Sequence, residues 1–212
     1  MRFEGIFAHQ EAGCGLRPRH PMVCILDVAG FVVTLGLLAV YPQKLVVVVL
    51  PLAMLMQYAI SCAYHWLPHN GVWRRLDHLM IAVLITATYV PYWGTMLPAE
   101  QALPRFVVVG VILGCVCVAQ FFFFKWQILG GILFLALGLY GNLVSLYELP
   151  GWLPPMGFIF FWAGMSLYLV QFAVYAARKP NPLPERFGYR EVQHLILVAA
   201  TTLQSIAVLK YL

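Results

Sequence analysis

The sequence predicts an all-α integral membrane protein, a bundle of seven transmembrane helices, and three observations support this. Hydrophobic residues make up 62% of the 212 residues and charged residues 10%, whereas a soluble domain is about half apolar and a quarter charged. The apolar residues fall into seven segments, each near the roughly 20 residues that a helix needs to cross a bilayer. Lysine and arginine residues collect in alternate gaps between these segments.

The seven segments cover approximately residues 21–41, 45–65, 76–97, 104–124, 127–147, 153–177 and 191–211. Proline, glycine and charged residues separate them, and only Lys125 divides the fourth segment from the fifth. A six-span alternative would fuse those two. Residues 1–20 are polar and basic and lack the apolar run of a secretory signal peptide. We therefore expect a cytoplasmic N-terminal segment (1–20) and one transmembrane domain (21–212).

The distribution of positive charge predicts the orientation. The side of the membrane that holds the N-terminus carries ten lysines and arginines, and the other side carries three. Because positive loops stay in the cytoplasm, we expect a cytoplasmic N-terminus and an external C-terminus, in a bacterial inner (plasma) membrane. The ten are Arg2, Arg17, Arg19, Arg74, Arg75, Lys125, Arg178, Lys179, Arg186 and Arg190; the three are Lys44, Arg105 and Lys210.

Composition also excludes two classes of protein. No basic patch is interleaved with exposed aromatic residues, so the sequence does not favour a nucleic-acid partner. The cysteines are odd in number, and four of the five lie in apolar segments, so they form neither a disulfide framework nor a paired zinc motif. They are Cys14, Cys24, Cys62, Cys115 and Cys117.

Polar residues gather where three of the segments begin or end. Ser61 and His65 lie at the end of the second segment, Asp77 opens the third, and Arg190 and His194 open the last. The predicted topology brings all of them to the cytoplasmic face. Polar groups are costly inside a bilayer and usually face the bundle interior at functional sites.

Helical spacing places these residues on two polar stripes. Gln57, Ser61 and His65 are four residues apart, as are Arg190 and His194, so each set shares one face of its helix. Thr201 and Gln204 or Ser205 continue the second stripe. We expect both stripes to point into the bundle.

The residue types fit a metal site or a structural polar network. Zinc in catalytic sites binds three protein ligands, often histidines, and activates water at the fourth position. His65 and His194 are the candidate ligands, Asp77 is a ligand or general base, and Ser61 a hydrogen-bond donor. The alternative is a network that only holds three helices together.

Two blocks of sequence resemble the hemolysin III family, the bacterial branch of the progestin and adipoQ receptor superfamily, related to adiponectin receptors and alkaline ceramidases. The first block runs from Ser61 through His65-Trp66-Leu67-Pro68 and Trp73-Arg74-Arg75-Leu76-Asp77-His78 to Thr88-Tyr89-Val90-Pro91. The second is Gly188-Tyr189-Arg190-Glu191-Val192-Gln193-His194.

The resemblance implies seven transmembrane helices, a cytoplasmic N-terminus and a zinc ion near the cytoplasmic face. Family members bind zinc through one histidine on helix 2 and a His-x-x-x-His pair on helix 7. By position His65 corresponds to the first ligand and His194 to the last. Asp77 corresponds to the carboxylate that approaches the metal through water, and Ser61 to the family serine.

The chain departs from the family pattern on helix 7 and on helix 1. Arg190 stands where the first histidine of the pair is expected, and arginine does not ligate zinc. Gln204 replaces a further frequent histidine, and the expected Asn and His pattern near the start of helix 1 is missing.

Three outcomes for the centre remain open, and we expect that metal binding is weakened or lost. Arg190 replaces the metal and pairs with Asp77; or the metal stays on His65, His194 and Asp77; or Glu191 or His78 supplies a new ligand.

The expected function follows from this resemblance. It is a metal-dependent hydrolase of lipid amides or esters, with membrane lipids as partners and substrates. The alternative is a non-enzymatic, receptor-like or membrane-modulating protein with a degenerate metal site.

For the remaining histidines, for Asp27 and for one aromatic run, the sequence gives weaker indications. His9 and His20 belong to no pattern, and His69 is expected in a solvated loop. Asp27, the only acid in the first segment, is expected near the membrane interface, where a charge costs little, and contact with the polar core is the alternative. The aromatic run from Tyr89 to Trp93 is expected to form an outer interfacial belt beside a proline kink.

Overall fold

The fold is known from a computed structural model that describes residues 20–41, 45–67, 71–123, 127–148, 151–183 and 187–212. These residues form seven helices and no strand of a sheet. The helices are α1 (Pro21–Val40), α2 (Leu45–Trp66), α3 (Gly71–Met96), α4 (Ala99–Phe122), α5 (Gln127–Glu148), α6 (Pro155–Ala177) and α7 (Tyr189–Tyr211).

The predicted fold class is confirmed, since six of the described helices are long and apolar enough to cross a membrane. In α5 the corresponding apolar stretch is the shorter Leu129–Ser145. Helices α4 and α5 are separate, so the six-span alternative is wrong. His9, His69, Lys44 and Lys125 lie outside the described residues.

Two helices begin earlier than predicted, α3 at Gly71 and α4 at Ala99. Hydropathy detects the apolar part of a helix and misses a polar first turn. Arg74 and Arg75 therefore lie on α3 rather than in the preceding loop, and Asp77 lies two turns into the helix.

The packing places α1 between α2 and α7. Helix α3 contacts α2, α4 and α5, and α6 lies along α7. Among the described residues, α5 and α6 share no close backbone contact although they are neighbours in the chain. The elements that carry the predicted site, α2, α3 and α7, thus lie together, and α1 packs against two of them.

The predicted aromatic belt on α3 is wrong. Tyr89, Tyr92 and Trp93 are buried in the core of the bundle. The rings of Tyr89 and Trp93 stack with their centres 5.3 Å apart, and Tyr92 meets Phe161 of α6 edge to face at 4.9 Å. These residues face inward because their large rings fill the space between helices, where they gain more contact area than at an interface.

Close helix contact depends on two glycines that lie under tyrosine rings. Gly30 of α1 lies against the Tyr58 ring of α2, and Gly141 of α5 lies against the Tyr89 ring of α3. A Cβ atom at either position would overlap the ring. Small residues of this kind let transmembrane helices approach one another.

Replacing Gly30 by alanine is expected to lower the thermal unfolding midpoint in detergent by several degrees. Overpacking costs about 1–3 kcal/mol, and roughly 2–4 °C is lost per kcal/mol for a chain of this size. Gly36→Ala is the matched control, because Gly36 is on the same helix and has nothing within 4 Å of the added Cβ. An equal drop in both variants would contradict the packing argument.

Candidate functional site at the end of the bundle

The two predicted polar stripes face each other inside the bundle, as expected. Gln57, Ser61 and His65 on α2 are buried. On α7 the Thr201 hydroxyl donates to the Leu197 carbonyl at 2.8 Å and accepts a hydrogen bond from Tyr58 on α2 at 2.5 Å. This cross-helix bond fixes the depth of α2 relative to α7. Ser205 and Gln204 are also buried and bond to Met54 and to the Phe161 carbonyl.

For Asp27 the favoured expectation is wrong and the alternative, contact with the polar core, is what the structure shows, because this carboxylate is 0% exposed and lies inside the bundle. The Nδ1 atom of His194 donates a hydrogen bond to Asp27 Oδ1 at 2.8 Å. A charge so far from water needs such a partner. Since Nδ1 then carries the proton, the lone pair of His194 lies on Nε2.

His20 belongs to the same cluster, although its sequence context gave no pattern. It is the residue before α1, and its Nε2 lies 2.6 Å from the Arg190 guanidinium. Because arginine only donates, His20 Nε2 is the acceptor and holds its lone pair there. The guanidinium therefore occupies one of the lone pairs that a metal would use.

Three imidazole rings lie in a row at this end of the bundle. The ring centres of His20 and His65 are 5.3 Å apart, and those of His65 and His194 are also 5.3 Å apart. With zinc–nitrogen distances of about 2.0–2.1 Å and tetrahedral angles, two ligating rings have centres about 5 Å apart. The ring spacing thus fits a shared metal ion.

The donor atoms do not yet converge. No group of three or more His, Cys, Asp or Glu side chains in the described ranges is arranged to hold a metal ion as it stands. His20 Nε2 is directed toward the Arg190 guanidinium. Imidazole side chains are of a type that binds zinc, but a metal held by all three rings would require Arg190 to leave His20.

Asp77 and Ser61 lie close to this cluster. Asp77 is almost fully buried, lies 3.5 Å from His78 Nδ1, and is close enough to His194 and Asp27 to interact electrostatically. The Ser61 hydroxyl is near Asp27, but neither Ser61 Oγ nor Asp27 Oδ2 makes a regular hydrogen bond to a described residue. Orphaned buried polar atoms of this kind commonly mark a site for a water, an ion or a ligand.

Two parts of the open outcomes lose support, the pairing of Arg190 with Asp77 and the use of Glu191 as a ligand. Arg190 contacts His20 and Tyr189, and its ion pair with Asp77 is not among those formed by the described residues. Glu191 accepts the Gly188 backbone N–H at 2.8 Å and so caps the start of α7 instead of turning toward the rings.

A model of the Haemolysin-III related family matches residues 19–205. The chain belongs to this family. The match covers α1 to most of α7, including every residue of the imidazole cluster. Together with the apolar helices, it makes the chain a multi-pass integral membrane protein.

The sequence of this haemolysin-III related chain contained a signal for His20 and Asp27, which were not among the predicted site residues. His20 directly precedes α1 and Asp27 lies seven residues later, so the two are about two helical turns apart on the same side. A spacing of seven, like the spacing of four in the stripes on α2 and α7, brings side chains to one face of a helix. Spacing along one helix does not reveal its neighbours, however, and only the packed bundle places α1 between the two stripes.

Asp27→Leu is expected to destabilise the protein more than Asp27→Asn. Leucine leaves the buried His194 N–H without an acceptor, which costs about 1–3 kcal/mol, whereas the Asn amide oxygen still accepts it. Thermal unfolding in one detergent compares the two variants. Equal midpoints would show that the hydrogen bond contributes nothing, since both changes remove the charge.

Proposed function

We propose that the protein is a zinc-dependent membrane hydrolase that cleaves lipid amides or esters at the cytoplasmic end of its bundle. His65, His194 and His20 would hold the ion, with His20 in the role that the family gives to the residue at position 190. When bound, zinc would polarise the lipid carbonyl and lower the pKa of a water molecule.

The hydrogen bond between Asp27 and His194 is the observation that carries this proposal. A ligating histidine usually donates its other ring N–H to a carboxylate, which orients the ring and raises its basicity. Here Nδ1 donates to Asp27 and leaves Nε2 for a metal. The neighbouring His65 ring lies at a spacing suited to a shared ion.

Each of the remaining residues has a chemical role in this proposal. Asp77 accepts a proton from the attacking water and returns it to the leaving amine or alcohol, as general base and then general acid. The Ser61 hydroxyl donates a hydrogen bond to the carbonyl oxygen as negative charge develops on it. Arg190 would have to leave His20 for the three rings to share one ion.

A second candidate is a non-enzymatic membrane protein in which Arg190 replaces the metal. The short contact between Arg190 and His20 Nε2 favours it, because the guanidinium already places a positive charge beside the imidazole cluster. In that case the polar cluster would join α1, α2 and α7 and bind no ion.

Metal analysis of the purified protein separates the two candidates. The hydrolase predicts about one zinc per chain in the wild type and a loss of most of it in His20→Ala, His65→Ala and His194→Ala. His78→Ala is the matched control and should retain the metal. If the wild-type protein contains no zinc even after incubation with zinc, the hydrolase proposal is refuted.

Arg190→Ala is expected to raise zinc affinity about tenfold or more, because the variant frees the lone pair of His20. Competition with a chromogenic chelator measures this. Lys210→Ala, which removes a positive charge at the far end of α7, should leave the affinity unchanged. If Arg190→Ala leaves the zinc affinity unchanged, as the control does, His20 is not a ligand.

Hydrolysis is measured with short-chain N-acyl lipids and matching esters in detergent, with and without chelator. Asp77→Ala is expected to lower turnover about 100-fold or more, the usual contribution of a general base, while zinc content stays unchanged. Turnover that survives both the chelator and Asp77→Ala would be inconsistent with this mechanism.

A further inference from the structure

Helices α1 and α2 are antiparallel neighbours, because residues along α1 meet residues of α2 in reverse order. Three such contacts are His20 with His65, Asp27 with Ser61, and Gly30 with Tyr58. The seam is tight, since a Cβ atom at Gly30 would overlap the Tyr58 ring. Cys24 and Cys62 face each other in this seam, between the first of these contacts and the second.

The two thiols are free and in contact. The Cys24 thiol donates a hydrogen bond to the Cys62 carbonyl oxygen, with 3.8 Å between sulfur and oxygen, and the two side chains also interact directly with each other. A disulfide between two helices requires side chains that point at each other, as these do. Cys115 and Cys117 on α4 differ, because residues two positions apart on a helix point about 200° apart.

The members of the pair differ in exposure. Cys24 is 3% exposed, whereas Cys62 is partly exposed and lies in the wall of an open apolar depression between α1 and α2. Both helices are long and apolar enough to cross the membrane, so this depression faces the hydrocarbon of the bilayer. An apolar reagent in the bilayer therefore meets Cys62 first, and Cys24 lies behind it.

We propose that Cys24 and Cys62 are a redox pair, in which an organic hydroperoxide oxidises Cys62 and Cys24 then closes a disulfide between α1 and α2. The Cys62 thiolate attacks the terminal oxygen of the hydroperoxide, and the O–O bond breaks. This gives Cys62 sulfenic acid and an alcohol, which takes the thiol proton. The Cys24 thiolate attacks the Cys62 sulfur, the S–O bond breaks, and hydroxide leaves with the Cys24 proton as water.

The disulfide would act on the imidazole cluster through its position. Cys24 follows His20 by one helical turn, and Cys62 precedes His65 by about one turn. The rings of His20 and His65 are the ones whose centres lie 5.3 Å apart. A covalent bond beside them holds α1 against α2 and so fixes His20 next to His65. The redox pair requires neither zinc nor lipid hydrolysis, and it is independent of the proposed function.

The experiment uses the full-length chain in detergent, in a variant that keeps only Cys24 and Cys62. Cumene hydroperoxide is added, remaining thiols are blocked with N-ethylmaleimide, and intact mass and linked peptides are measured. The expected result is the loss of two hydrogen atoms within one chain and a thermal unfolding midpoint raised by about 5 °C or more. Dithiothreitol should reverse both changes. A variant that keeps only Cys115 and Cys117 is the matched control and should form no disulfide.

Single variants test the two roles with dimedone, which traps sulfenic acids. Cys24→Ser should accumulate the sulfenic acid on Cys62, whereas Cys62→Ser should label Cys24 about tenfold less, because Cys24 is buried. Equal labelling of the two variants would overturn the assigned order of oxidation. Oxidation without a disulfide inside one chain, or a disulfide between two chains, would overturn the pair itself.

Discussion

The hydrogen bond between Asp27 and His194 is the constraint on which the rest of the polar end of the bundle depends. A carboxylate that is 0% exposed in a membrane bundle is strongly unfavourable without a partner. Helices α1 and α7 must therefore pack so that these two residues are at one depth. The Tyr58–Thr201 bond then fixes α2 against α7, and His65 arrives beside His194.

This constraint also determines which residue Arg190 contacts. Arg190 stands where the family pattern implies a histidine ligand, so α7 supplies one histidine fewer than that pattern. Helix α1, which the Asp27–His194 hydrogen bond holds in place, brings His20 against the Arg190 guanidinium. In the proposed zinc site, a guanidinium and a metal ion would compete for the same nitrogen lone pair. The result of that competition would depend on whether Arg190 has another acceptor, and not on the number of histidines.

The seven helices could be predicted from the sequence because a bilayer demands about 20 apolar residues per span. The same reasoning placed Ser61, His65 and His194 on inward stripes, since lipid excludes polar side chains. It missed the polar starts of α3 and α4, and it put Tyr89, Tyr92 and Trp93 at an interface although they fill the core. The partners of His20 and Asp27 were beyond it, because helical spacing gives the face of a helix but not the neighbour that the face contacts.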